Sequence, residues 1–299
     1  MRKHPLLLGM LVFGVLLSLF FISIWVLSYF FGREERLWGN EKIAVIEIKG
    51  VILDPEPVVE KLIKFRKDEK VKAIVLRIDS PGGGVGPAQE IHAEVKKVQL
   101  EKKVLVSMGS VAASGGYYIA CAADKIIANP GSITGSIGVI VESLNVEDLF
   151  RKLGLRSTVI KSGRHKDIGS PLRKMTPEER KLLQGVLDSV HDQFIRAVAE
   201  GRKLPLEKVR GLADGRIFSG DQAKTLGLVD GLGNLQDTIA MAAKMAGIKG
   251  EPGVIYPEKK RFSLLDLILQ EMILKIWDSA GELSPRLFFL YTNLQGAIP

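Results

Sequence analysis

Three short apolar runs, each ending in a cluster of small residues, constrain the fold of this chain most strongly. Residues 73–78 (AIVLRI) run into Asp-Ser-Pro-Gly-Gly-Gly, residues 104–108 (VLVSM) into Gly-Ser, and Lys125–Ala128 into Asn-Pro-Gly. A fourth run, Lys42–Lys49, is also rich in Ile and Val. Short apolar runs bounded by Gly and Pro are typical of buried strands.

Segments with helical spacing alternate with these strands, at residues 58–67, 86–98, 114–123 and 178–200. The last of them opens on Thr176 as N-cap, with Pro177 at the first helical position and Glu179 completing a capping box. Strands and helices that alternate with short connections predict an α/β domain on a mostly parallel sheet. We expect this domain to cover residues 42–250.

The N-terminal part of the chain predicts a membrane anchor. Residues 5–31 are almost wholly apolar and uncharged, and a helix needs about 20 such residues to cross a bilayer. Arg2 and Lys3 precede the run, which places residues 1–4 in the cytoplasm and the domain outside, beyond a linker at 32–41. A cleaved signal peptide is the alternative, but the run is too long and lacks a small-x-small site.

The C-terminal tail, residues 251–299, contains an amphipathic pattern at residues 262–277 (FSLLDLILQEMILKIW). A helix there could pack on the domain or on a neighbouring subunit, or it could lie at the membrane surface. Both interpretations stay open.

Composition excludes several classes of protein. The formal net charge is +8, but no helix combines a basic face with interleaved aromatics, so we expect no nucleic-acid partner and a basic surface close to lipid. Cys121 is the single cysteine, which rules out an internal disulfide. Neither HExxH nor a phosphate-binding glycine motif occurs, so we expect no metal, no cofactor and no use of ATP.

Ser114 is the candidate nucleophile. It lies in VAASGGYY, where a strand leads through small residues into a helix that supplies free N–H groups. The alternative is that Ser114 only caps this helix. The glycines after residues 73–78 let the Gly83 N–H approach a ligand closely. Because the two loops follow neighbouring strands, Gly83 and Gly115 could together form one oxyanion hole.

Four motifs in order, SPGGG, AASGGYY, NPGSITGSIGV and KSGRHKDIGSPLRKMT, closely resemble the signal peptide peptidase A family. The resemblance covers about residues 42–235. It implies a Clp protease/crotonase-like spiral of ββα units, with Ser114 as nucleophile, Lys166 as general base and Ser136 orienting that lysine. It assigns the oxyanion hole to Gly83 and Gly115. Members of this family form membrane-bound homo-oligomers that cut remnant signal peptides.

A lysine base agrees with elementary chemistry. A lysine in apolar surroundings favours its neutral form, so Lys166 could accept the Ser114 proton and return it to the leaving amine. His165 and Asp167 flank Lys166, and a Ser114–His165–acid triad is therefore a rival. Whether Lys166 reaches the Ser114 of its own chain or of another subunit stays open.

The sequence therefore predicts a single-pass serine endopeptidase of the plasma membrane that hydrolyses remnant signal peptides and other apolar peptides. Its expected partners are these peptides, membrane lipid and further copies of the chain. One alternative is a peptide-binding scaffold without activity. The other is an acyl-CoA hydratase or isomerase on the same fold, which would need paired carboxylates beside the two glycine loops.

Overall fold

The computed structural model of the chain describes residues 13–24, 41–256 and a short strand near the C-terminus. The strands are β1 Lys42–Lys49, β2 Val71–Ser80, β3 Gly82–Gly84, β4 Lys103–Ala113, β5 Lys125–Ala128, β6 Ile133–Gly135, β7 Ile217–Ser219, β8 Gly231–Leu232, β9 Gly253–Ile255 and β10 Phe288–Leu290. The helices are α1 Glu56–Lys67, α2 Val85–Gln99, α3 Gly115–Ala120, α4 Glu147–Lys152, α5 Pro177–Arg202, α6 Leu206–Leu212, α7 Gly220–Leu226 and α8 Leu235–Met245.

The main sheet has the order β7-β6-β4-β2-β1-β9, and β5 joins β4 to β8. Its pairings are parallel except for β6 with β7. β4 is long enough to pair twice, because Leu105–Ser107 lies against β5 and Val111–Ala113 lies against β6. The sheet therefore divides along β4, and the predicted α/β class with a mostly parallel sheet is confirmed.

Helices cover both faces of this sheet. On one face Ile43 and Val45 of β1 pack in a cluster with Ile239 of α8. Ala44 and Ile46 belong to the larger cluster on the other face. The sequence of β1 predicts alternating apolar and polar positions, but the four residues Ile43 to Ile46 are all fully buried. Parallel strands between two helical layers bury both sets of side chains.

β4 continues five residues beyond its predicted end at Met108. Gly109, which the sequence indicates as a turn, is instead a point of close approach within the strand. A Cβ at Gly109 would lie 2.6 Å from Asp79 Cγ, and Asp79 Oδ1 accepts a hydrogen bond from the Val111 N–H at 3.0 Å. The strand therefore runs as far as Ala113, and the following helix is the short α3 rather than residues 114–123.

The predicted capping box of α5 is confirmed. Glu179 N donates to Thr176 Oγ1 at 3.2 Å, and Thr176 N donates to Glu179 Oε2 at 3.0 Å. Pro177 occupies the first turn, as predicted. The start of α5 is therefore held by side chains as well as by its backbone.

Only part of the predicted anchor, residues 5–31, is described. Residues 13–24 form a helix whose side chains are exposed. Within the described ranges, no helix combines the length and the apolar character needed to cross a bilayer. The predicted tail helix at 262–277 and most of the linker at 32–41 lie outside the described residues.

Candidate active site

Ser114 lies in the sharp turn between β4 and α3. Its backbone adopts φ 52° and ψ −116°, a conformation that non-glycine residues rarely take. Its N–H donates to Gly135 O at 2.9 Å, and its C=O accepts from Tyr118 N at 2.8 Å. Such strain costs about 1–3 kcal/mol and persists only where the surrounding structure enforces it, often at functional sites.

The Ser114 side chain does not cap α3. The alternative that this serine serves only as a helix cap is therefore wrong. The residue is 1% exposed, and its hydroxyl lies at the start of a helix whose first N–H groups have no partner within the helix. Gly115 is the first residue of that helix and is buried beside Ser114.

The second glycine loop contacts this turn directly. Ser80 pairs with Ala112 across β2 and β4, and a Cβ at Gly116 would lie 3.2 Å from Ser80 O. Ser80 Oγ donates to Gly50 O at 2.6 Å and accepts from Gly82 N at 3.1 Å. The expectation that the two loops follow neighbouring strands and lie together is confirmed.

Gly83 is enclosed by the backbone of Ile52. A Cβ at Gly83 would lie 2.1 Å from Ile52 O, so no other residue fits without movement. Ile52 N donates to Gly82 O, and Gly84 N donates to Ile52 O, both at 2.8 Å. The strand that contains Gly83 is thus held on one side, while its other side pairs with the tail strand β10.

Sequence reasoning did not find β10. Phe288, Phe289 and Leu290 lie antiparallel opposite Gly84, Gly83 and Gly82. The only sequence signal is a short run of residues that favour strands, in a tail whose clearer pattern is helical. The structure therefore contains a peptide segment of the chain itself along β3.

Ser136 lies one strand away from Ser114, directly after β6. It also has a positive φ, 51°, and its N–H donates to Arg216 O at 2.8 Å. Ala113 pairs with Gly135, so the two serines follow paired positions at the ends of β4 and β6. The structure brings Ser136 next to the Ser114 turn.

A cavity of about 410 Å³ adjoins Ser136. Asp188 and His191 of α5 and Asp214 supply polar groups to its lining. His191 Nε2 is buried and has no hydrogen-bond partner among the described residues. Nothing in the spacing of His191 along the sequence signals a place beside Ser136.

Lys166 lies on a turn at residues 163–169, and its side chain is exposed. The turn closes through hydrogen bonds from Lys166 N to Gly163 O and from Ile168 N to His165 O, both at 3.1 Å. In the part of the chain that the structure describes, no hydrogen bond joins Lys166 to Ser114. Within the described residues, its own chain does not provide the apolar surroundings expected for this lysine.

Among the described residues, no hydrogen bond joins His165 to Ser114 either. Its Nε2 lies 3.7 Å from Glu178 Oε1, and its Nδ1 is buried with no partner among the described residues. The rival triad and the lysine base both remain predictions.

Cys121 is buried in the turn that ends α3. Burial raises the pKa of its thiol to about 12, so the group is protonated at neutral pH and is not a competing nucleophile. Its Sγ donates to Tyr118 O at 3.0 Å. Cys121 is therefore a small buried residue of the core.

A strained, buried serine between a strand and a helix, next to a glycine loop, is the arrangement of a serine hydrolase. The sequence model described as "Peptidase family S49" matches residues 96–249, and the one described as "Clp protease" matches residues 45–133. The chain belongs to peptidase family S49, the family of signal peptide peptidase A. It is a serine protease on a mixed α/β fold of the Clp protease and crotonase type.

Three relatives illustrate how far the similarity extends. A Synechocystis protein named "Putative protease" is 47% identical over 70% of this chain and 76% of its own length. A Methanocaldococcus jannaschii protein with the same description is 33% identical over 89% of this chain and 90% of its own. "Putative signal peptide peptidase SppA" of Enterococcus faecium is 39% identical over 67% of this chain and 62% of its own.

Proposed function

We propose that this chain is a membrane-anchored serine endopeptidase that uses Ser114 and Lys166 as a dyad to cut apolar peptides, remnant signal peptides among them. The observation that carries the proposal is the conformation of Ser114, which is strained, buried and not used as a cap. The family assignment decides against an acyl-CoA hydratase or isomerase and against a scaffold without activity.

In the proposed reaction the neutral Lys166 amine takes the proton from Ser114 Oγ, which attacks the peptide carbonyl carbon. The N–H groups of Gly83 and Gly115 stabilise the oxyanion. Lys166 then gives its proton to the leaving amine. Water repeats the sequence on the acyl-enzyme, and Ser136 orients the lysine. The contact between the two glycine loops supports a shared oxyanion hole.

The exposure of Lys166 favours completion of the dyad between subunits. Residues 139–175, here called the arm, run between β6 and α5 and contain Lys166. The arm exposes many apolar side chains, among them Leu144, Leu149, Leu153, Leu155, Val159 and Ile160, the last being 97% exposed. Exposed apolar surface of this extent marks an interaction site. A neighbouring copy that covers the arm would give Lys166 the apolar surroundings that its role needs.

The strand β3 is the proposed binding edge for substrate. β10 pairs with it in antiparallel register, which supports an extended peptide as the form that this edge accepts. An apolar, extended substrate needs no unfolding by ATP hydrolysis. Preference for charged peptides over leucine- or alanine-rich ones would contradict this part of the proposal.

Membrane attachment is proposed from the N-terminal residues. The described helix 13–24 carries exposed apolar side chains, including Phe13, Leu16 and Phe20. The basic residues before it favour a cytoplasmic N-terminus and a peptidase domain on the other side of the plasma membrane.

The full chain, purified in detergent, can be tested with a leucine-rich peptide ester and a fluorophosphonate probe that labels active serines. Ser114→Ala and Lys166→Ala should each lower kcat by about a thousandfold or more, since the members of such a catalytic unit act together. Ser110→Ala is the matched control, because Ser110 lies on the same strand but is exposed. His165→Ala should remain largely active.

Two results would contradict the proposal. A dead His165→Ala with an active Lys166→Ala would transfer the role of base to the histidine. A wild-type oligomer that neither cleaves the ester nor reacts with the probe would remove Ser114 as the nucleophile.

A further inference from the structure

Arg173 bonds to the residue that follows Lys166. Its Nε donates to Asp167 Oδ2 at 2.8 Å and its Nη2 donates to Asp167 Oδ1 at 2.9 Å. The same Nη2 lies 3.3 Å from Asp167 O, the carbonyl that also accepts from Ser170 N. Lys161 forms a second ion pair with this carboxylate. Side chain and backbone at Asp167 are therefore both held.

The same guanidinium bonds to the first turn of α5. Arg173 Nη1 donates to Glu179 Oε2 at 2.8 Å, and Nη2 donates to Glu179 Oε1 at 2.5 Å. Glu179 is the capping-box residue, and its side chain is only 4% exposed. One arginine thus joins two carboxylates, one beside Lys166 and one fixed at the start of a 26-residue helix.

The residues before Lys166 are tied to the same helical turn. Arg164 forms an ion pair with Glu178, which is next to Glu179, and His165 Nε2 lies 3.7 Å from the same carboxylate. These contacts are more exposed than those of Arg173, since the Arg164 side chain is 75% exposed and the Arg173 side chain 30%. Arg173 therefore makes the more buried of the two links between the turn that contains Lys166 and the start of α5.

Both carboxylates remain charged at neutral pH. The hydrogen bonds from Arg173 lower the pKa of Glu179 to about 2, with a further contribution from the Thr176 N–H. Hydrogen bonds from Arg173 and then from Lys161 hold the pKa of Asp167 well below its usual value. Charge-assisted, bidentate bonds of this kind are stronger and more directional than neutral ones.

We propose that Arg173 is a positioning residue for Lys166. By joining Asp167 to Glu179, Arg173 fixes the turn at residues 163–169, which contains Lys166, to the start of α5. This inference rests on the proposed function, in which Lys166 is the general base. Lys166 is exposed, so packing against the described residues of its own chain does not orient it. The bridge through Arg173 presents the lysine to a Ser114 site in a defined place before substrate binds, and α5 also supplies His191 beside Ser136.

A lysine cannot reproduce this bridge. The planar guanidinium uses three nitrogens to hold two carboxylates, whereas an ammonium is a point charge on a flexible stem. Arg173→Lys should therefore keep the charge but recover only part of the positioning.

The test uses the full-length protein in detergent, with the peptide ester as substrate and kcat, KM and thermal midpoint as readouts. Arg173→Gln should lower kcat about 10- to 100-fold, because a displacement of about 1 Å at a catalytic group costs this much. KM should change less than about twofold, since the proposed role of Arg173 acts through Lys166 and not through substrate binding. Arg173→Lys should fall between Arg173→Gln and wild type. Arg210→Gln is the matched control, because it breaks an exposed pair between α6 and Asp192 of α5.

A double variant separates positioning from a general structural role. In a Lys166→Ala background the base is absent, so Arg173→Gln should have almost no further effect on the residual rate. If Arg173→Gln does not fold, Asp167→Asn removes one side of the bridge and should show the same loss of kcat with unchanged KM.

Three results would overturn the inference: kcat of Arg173→Gln equal to that of Arg210→Gln, a rise in KM without a fall in kcat, or an equal loss with and without Lys166. If Lys166→Ala itself retains the wild-type rate, the proposed base is wrong and the role of Arg173 falls with it. A dead Lys166→Ala combined with a fully active Arg173→Gln would overturn the positioning role alone.

Discussion

Among single residues, position 83 requires glycine because the backbone of Ile52 leaves no space for a Cβ atom there. The sequence predicted a backbone that approaches a ligand, and the structure adds an approach on the opposite side, to Ile52. A residue that must be small for packing is thus also the proposed oxyanion donor, so its two roles have to be separated by experiment.

We expect Gly83→Ala to destabilise the protein by about 1–3 kcal/mol, the usual cost of overpacking, and to remove peptide hydrolysis. Gly86→Ala is the matched control, because Gly86 is exposed in α2 and a Cβ there meets nothing within 4 Å. It should be stabilising by about 0.4–1 kcal/mol. Chemical denaturation measures both, and equal stability of the two variants would contradict the packing argument.

The local sequence alone did not decide the roles of Ser114 and Arg173. A serine before a glycine pair reads equally well as a cap or as a nucleophile, and only the positive φ and the missing cap bond distinguish them. Arg173 reads as one more basic residue in a charged stretch. Its role depends on Asp167 and Glu179, each six residues away on opposite sides, with side chains that meet only in the folded turn.

At the level of elements, β10 pairs with the edge of β3 that we propose as the binding edge for an extended substrate. β10 should therefore compete with added peptide for this edge. The apparent affinity for the peptide should be reduced in proportion to the fraction of molecules in which β10 leaves the edge free.

Ending the chain at residue 287 removes β10, and we expect kcat/KM for a peptide ester to rise about three- to tenfold, mainly through KM. Phe289→Pro should act in the same direction, because proline lacks the N–H needed within a paired strand. Steady-state kinetics on both variants measure the effect. An unchanged KM in both would show that β10 does not compete with substrate.

Helices α2, α3 and α5 contact one another through a cluster of three rings. The rings of His92 and Tyr118 lie 4.9 Å apart, and those of Tyr118 and Phe194 lie 5.0 Å apart. Burial, and then the charge of Lys96, lower the pKa of His92 to about 4, although Glu200 opposes the shift. His92 is therefore neutral in the folded protein at neutral pH.

Because the unfolded chain binds a proton at His92 near pH 6.5 and the folded chain only near pH 4, the folded state should lose stability as pH falls between these values. The loss from this group is on the order of 3 kcal/mol. His92→Gln should flatten the dependence of the thermal midpoint on pH over this range. The same slope in variant and wild type would show that other groups govern acid stability.

At the scale of the whole molecule, the proposed dyad has its two members on differently placed parts of one chain. Ser114 is buried at the centre of the sheet, and Lys166 is exposed on the arm. If the dyad forms between subunits, two inactive variants should complement each other in a mixed oligomer.

Ser114→Ala and Lys166→Ala should each be inactive alone, and activity should return when both chains are expressed together. Random mixing in a closed ring would leave about a quarter of the interfaces with both intact groups, and so about a quarter of the wild-type rate. Hydrolysis of the peptide ester by the co-purified oligomer measures this. A mixture that stays inactive would place both groups of the dyad within one chain.

Patterns along the chain were enough to predict the α/β class, four strands and four helices, the capping box at Thr176 and the proximity of the two glycine loops. These features depend on local patterns, namely apolar runs, helical spacing and small residues at fixed offsets, which neighbouring residues specify among themselves. The ordered motifs also sufficed to indicate the family.

Three features became apparent only in the folded chain: β4 runs on through Gly109 to the Ser114 turn, β10 lies on β3, and Arg173 joins Asp167 to Glu179. The tertiary structure also showed Lys166 exposed on its own chain. Each depends on contacts between residues that the fold brings together or leaves apart. Register, burial and ion-pair partners of this kind are set by the packing of the whole domain, which no local pattern in the chain encodes.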